Sequence, residues 1–157
     1  MCGLPGQTIE DLAADIEFFA TEDIDMIGMG PYIPHRDAPL GKNAPWTSEM
    51  AVKRLELGLR MIAATRLHLH DVNIAAATAL QALDPEGREK GLLAGANVMM
   101  PNVTDVAYRA DYQLYAGKPC LNENSVRCRG CLERRISSIG ETINWNARGD
   151  SPHWRKR

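Results

Sequence analysis

No run of about 18 apolar residues occurs in this 157-residue sequence, so no membrane-spanning helix is expected. No signal-peptide pattern precedes the first turn, so no secretory leader is expected either. Gly-x-Gly-x-x-Gly and the phosphate loop are both absent, and Gly28-Met29-Gly30 is too short for a dinucleotide fingerprint. No Ser–His–Asp set shows by motif, and there is neither an internal repeat nor a low-complexity tract.

Apolar residues make up 45% and charged residues 24%, so a packed core is expected. The net charge of −2 hides an asymmetry. From Arg127 onward eight Lys/Arg face three Asp/Glu, whereas residues 1–126 carry ten Lys/Arg and 17 Asp/Glu. The basic end reads as an exposed solubilising tail, with contact to nucleic acid or an acidic partner as the alternative. Three of the four cysteines crowd together, and this points to a reducing compartment and to metal or redox use.

Turn, helix and strand signals alternate. A Gly3-Leu4-Pro5-Gly6 turn comes first, with almost nothing before it. Thr8 and Asp11 form a capping-box pattern ahead of Ile9, Leu12, Ile16 and Phe19 at helical spacing. Met26 to Met29 reads as a buried strand running into a long proline-rich loop. Thr47 or Ser48 caps a long helix with Val52, Leu55, Leu59 and Ile62 on one face. "VNIAAATAL" predicts a second strand. Asp84-Pro85 predicts an N-cap with proline at the first helical position, and "NVMMP" predicts a third strand. This alternation predicts βα units and a parallel α/β sheet. Three strands plus a truncated one before Gly3 are too few to close a barrel of about eight, which points to half of one.

In such folds ligands sit at the carboxyl ends of the strands. Those ends offer a hydroxyl (Thr78), an amide (Asn102), one histidine (His35) and two methionines (Met99, Met100). The set suits cofactor binding or shielding of a reactive intermediate better than acid–base work. Core packing is the alternative for both methionines, and local hydrogen bonding the expectation for His35. His68 and His70 at a helix end suit the dipole and are given no role. Cys2 lacks a neighbour in sequence to activate it. Cys128 and Cys131 form a Cys-x-x-Cys pair read as lying on a turn, with Cys120 eight residues upstream. Three thiolates fit a metal or iron–sulfur site, and Arg127 and Arg129 would offset their charge. The fourth ligand stays open, as does a set of plain free thiols.

Together, "GLPGQTIEDL", "GMGPYIPHRDAPL", "NIAAATAL", "GANVMMPN" and "YQLYAGKPC" with its following cysteines resemble the C-terminal half of the HydE family. These are radical S-adenosylmethionine maturases of iron–iron hydrogenases. The resemblance runs from Cys2 to about Gly140. It implies a TIM-type (β/α)8 radical SAM barrel, of which residues 1–119 would be about strands five to eight. Residues 120–140 would be a cysteine loop and helix closing the barrel, and 141–157 a basic polar tail. The family's Cys-x-x-x-Cys-x-x-Cys for its 4Fe–4S cluster is absent here. The chain therefore looks like a fragment, with Met1 an internal methionine and no radical chemistry of its own.

The resemblance also implies the site. Gly3, Leu4, Pro5 and Gly6 would lie near the adenosyl group of S-adenosylmethionine, and Thr78, Met100, Tyr112 and Tyr115 would line the substrate cavity. Ala77-Thr78 stands where some relatives have two threonines. Cys120, Cys128 and Cys131 would match an accessory 2Fe–2S or 4Fe–4S loop. The cofactors would be S-adenosylmethionine and a 4Fe–4S cluster, bound mainly by the missing half. The substrate would be a small cysteine-bound iron carbonyl–cyanide complex. The partners would be other hydrogenase maturases, with no nucleic acid or membrane, in the cytoplasm. Two other readings stand beside it: a biotin synthase- or methylornithine synthase-like radical enzyme, and a small iron–sulfur or zinc module. A half barrel with uncovered apolar faces is expected to self-associate.

Overall fold

The structure, a computed structural model, describes residues 1–111, 118–119 and 125–156, with the backbone alone for 125–127. It is a mixed α/β fold around a small parallel sheet.

Helix α1 spans Ile9–Thr21 and opens with the expected capping box, Thr8 and Asp11 exchanging side-chain-to-backbone hydrogen bonds. Its Leu12 is buried, and Ile16 and Phe19 pack on the core. Strand β1, Met26–Met29, buries Ile27 and Met29 and leaves the face of Met26 and Gly28 open. Helix α2, Ser48–His68, is capped by Thr47, whose hydroxyl accepts from the Met50 amide at 3.2 Å. Its buried face is Gly58, Met61, Ile62 and Thr65. Val52, expected on that face, is 63% exposed. Gly58 takes its place: a Cβ there would sit 3.2 Å from both Pro31 and Leu80, so only a bare backbone lets the helix in so close.

Strand β2, Asn73–Ala76, is buried throughout and pairs in parallel with β1, Met26 opposite Asn73 and Met29 opposite Ala76. Two further segments extend the sheet by a single bridge each, Cys2 with Pro31 and Ala75 with Val98. The four segments thus lie side by side in chain order, all parallel. The run read as one strand over "VNIAAATAL" divides, because Ala77 is the N-cap of helix α3, Thr78–Leu83. The third strand shrinks to the Val98 bridge. Beyond it the Met100 carbonyl accepts from Arg88 Nη2 at 2.8 Å, so a side chain takes an acceptor that a ladder would need.

Helix α4 spans Gly87–Leu93, with Glu86 as N-cap. Asp84-Pro85 is therefore a turn ahead of the helix, with Asp84 Oδ1 accepting from the Glu86 amide at 2.7 Å. Helix α5 is one turn, Val106–Arg109. Helix α6, Ser125–Ser138, already contains Cys128 and Cys131, which corrects their expected place on a turn. The reason is packing: Cys128 and Leu132 are both buried, at the i, i+4 spacing of one helix face. A short 3₁₀ turn, Trp154–Lys156, ends the described chain. The basic tail is not simply exposed: Ser151 is buried and Asn73 Nδ2 donates to the Gly149 carbonyl at 2.7 Å.

Candidate functional site

The carboxyl ends of the four parallel segments form the candidate site. At the first, Gly3 and Gly6 both have positive φ, +81° and +80°, which L side chains rarely adopt. The Gln7 side chain holds the turn: its Oε1 accepts from the Gly3 amide at 2.7 Å and the Leu4 amide at 3.2 Å. Gly3 packs against Arg54 so tightly that a Cβ would run into the guanidinium, whereas Gly6 faces open space. The turn is thus anchored at one end and accessible at the other.

The next two ends meet: a Cβ at Gly30 would lie 3.0 Å from that of Ala77. Thr78 follows, half-buried, at the start of α3. The Ala75–Val98 bridge puts Met99 and Met100 at the same end of the sheet as Ala77 and Thr78. Met100 is 51% exposed, so it is not core packing. His35 makes the local hydrogen bond expected of it, its Nδ1 accepting from the Asp37 amide at 3.2 Å.

Two arginines that sequence reasoning passed over hold the last loop. Arg88 and Arg109 are both buried. Arg88 donates to the Met100 carbonyl, and Arg109 to the carbonyls of Thr104 (2.7 Å) and Asn102 (3.2 Å). Asn102 itself turns inward, its Oδ1 accepting from the Thr104 amide. Lys118 has its pKa pushed down, by burial first and by the Arg109 charge second. The only sequence signal for this cluster was an arginine beside an apolar helix stretch, which reads as a solvated cation.

The thiols separate. Cys2 is 1% exposed, and burial raises its pKa over the opposing pull of the N-terminus, its backbone and Arg54. It is a core residue, not a nucleophile. Cys128 is buried and Cys131 half-buried, three residues apart on α6. Cys120, Tyr112 and Tyr115 lie outside the described residues. Among the described residues no group of three His, Cys, Asp or Glu could hold a metal ion. Two thiols on one helix are not a closed site by themselves.

No family model matches the chain. It is 46% identical over 142 residues to the FeFe-hydrogenase maturase subunit HydE of Thermotoga maritima. The match covers 89% of this chain and 38% of the relative, so the chain spans well under half of that protein's length. The likeness to the C-terminal half of HydE read from five motifs thus holds over most of the sequence. Among the described residues no helix is long and apolar enough to cross a membrane.

Proposed function

From this likeness to HydE we propose that the chain is part of a radical SAM enzyme that matures the di-iron subcluster of iron–iron hydrogenase. The supporting observation is the 46% identity over 142 residues, 89% of the chain. In this reading the four parallel segments are consecutive strands of a barrel, and the open face of Met26 and Gly28 looks into its lumen. The Gly3–Gly6 turn lies against the adenosyl group of S-adenosylmethionine. Thr78 and Met100, with Tyr112 and Tyr115, line the cavity for a small cysteine-bound iron complex that another maturase supplies. Thr78 and Met100 bring no acid or base to that cavity, which suits the shielding of a reactive radical from protons and water.

The radical-generating 4Fe–4S cluster has no place on this chain, because three cysteines in Cys-x-x-x-Cys-x-x-Cys spacing are missing. Isolated, the chain should not cleave S-adenosylmethionine. Cys128 and Cys131, with Cys120, are the ligands proposed for an accessory cluster on the α6 side.

The test is the full-length protein carrying this segment, reduced and supplied with S-adenosylmethionine. Formation of 5′-deoxyadenosine, and its loss of coupling to hydrogenase maturation in Thr78→Val and Met100→Ala, is the expected result. A reading frame without Cys-x-x-x-Cys-x-x-Cys upstream of this segment would sink the enzyme reading. Iron content that is unchanged in Cys128→Ser would remove the accessory cluster.

A further inference from the structure

Residues 149–156 cross the fold at the end opposite the candidate site, beside the start of β2. Asn73 Nδ2 reaches the Gly149 carbonyl, and the His153 amide donates to the Asp71 carbonyl at 3.1 Å. Buried Ser151 accepts from the Trp154 amide at 3.0 Å. The His153 ring sits between two carboxylates: Nε2 is 2.7 Å from Asp23 Oδ1 and Nδ1 is 3.3 Å from Asp71 Oδ1. Asp23 follows α1 and Asp71 precedes β2, so one imidazole ties the tail to both. Lys156 Nζ adds a contact to Asp71 Oδ2 at 2.6 Å.

A neutral imidazole has one N–H and one lone pair. Between two carboxylates it can satisfy one and must turn its lone pair on the other. Only the imidazolium donates to both. We propose that residues 149–156 are a proton-operated strap, docked while His153 is charged and released when it is neutral. His153 and Lys156 form part of the wall of a hollow of about 290 Å³ that also includes Phe19, Ile24, Leu69 and Val72, and release would remove that part of the wall.

The other charges facing this point are few. Glu17 on α1 pairs with His68 on α2 at 3.5 Å, and His70 lies in the same hollow. Both histidines line the same wall as His153 and Lys156. Arg155 is turned to the Asp150 carbonyl at 3.0 Å. The His153 pKa is raised, by the Asp23 hydrogen bond first and then by the Asp71 charge, while Asp71 is lowered, chiefly by the Lys156 hydrogen bond. A raised histidine pKa stabilises the docked form fully below the free value of about 6.5, and the gain is lost as pH rises through the raised value. The lowered Asp71 limits docking on the acid side, below its own pKa.

Hydrogen exchange of the amides of residues 149–156 in the intact chain, corrected for the intrinsic pH dependence, tests this. Protection should fall several-fold between pH 6 and pH 8.5. Each unit of His153 pKa shift corresponds to about tenfold in docking. His153→Gln should be weakly protected at both pH values. Equal protection at the two pH values, or a full pH response in His153→Gln, would overturn the strap. Should His153→Gln fail to fold, Asp23→Asn serves: it must move the release to lower pH, and an unmoved release overturns the proposal.

Discussion

Arg135 on α6 places Nη2 2.6 Å from Glu89 Oε2 on α4, and the same nitrogen donates to the Pro85 carbonyl. The two side chains are 20% and 10% exposed, so the pair is largely dry. Removing one partner leaves a charge buried alone, which costs about 3 kcal/mol or more. Glu89→Gln and Arg135→Ala should each lower the unfolding free energy from urea melts by that order, while the double replacement by apolar residues recovers most of the loss. Two single variants within about 0.5 kcal/mol of wild type would show that α6 does not depend on this pair.

A second expectation concerns Gly87. A Cβ there would run into the Leu80 carbonyl at the α3–α4 turn, and backbone cannot move aside as a side chain can. Gly87→Ala should destabilise by about 3 kcal/mol, the upper end of overpacking costs. A thermal melt reads this. An unchanged melting temperature would mean that α4 sits further from α3 than described.

Lys90 Nζ lies 2.6 Å from Asp84 Oδ2. The Asp84 pKa is lowered, chiefly by this hydrogen bond, and the Lys90 pKa is raised by the same bond. The carboxylate contribution is therefore present above its ordinary value of about 3.9 and lost as pH falls through the lowered value. The lysine contribution is present below about 10.4 and lost as pH rises through the raised value. The stability difference between wild type and Lys90→Met should be greatest near neutral pH and shrink toward pH 2. Denaturant melts that give a constant difference would reject the linkage.

Thiol labelling should sort the cysteines. Iodoacetamide added to the native chain should modify Cys131 before Cys128, and Cys2 slowest, since burial both hides Cys2 and raises its pKa. Mass spectrometry of native and denatured samples gives the order. Fast native labelling of Cys2 would contradict its place in the core.

The elements best legible in the sequence were those set by local chemistry. The Thr8–Asp11 box, the Thr47 cap and the four residues of β1 lie where spacing placed them. Boundaries failed where tertiary contacts decided. The Val98 segment stops pairing because Arg88 claims the Met100 carbonyl, and nothing in "NVMMP" announces an arginine twelve residues before Met100. Val52 fits a helical apolar stripe, but close approach at Gly58 rotates the buried face away from it. Of the candidate site, the strand-end residues were readable from the alternation of elements. Arg88 and Arg109 were not, because a buried arginine looks in sequence like an exposed one.

Each parallel neighbour in the sheet is also the next segment along the chain, 29 residues on for Cys2 and Pro31, 47 for Met26 and Asn73, and 23 for Ala75 and Val98. Closing a loop costs more entropy the longer it is. The bond from His153 to Asp23 spans 130 residues. In a chain growing from its N-terminus, the helices and strands can settle while the tail is still being made. Residues 149–156 are made after the segments they tie together, so they close over elements already present.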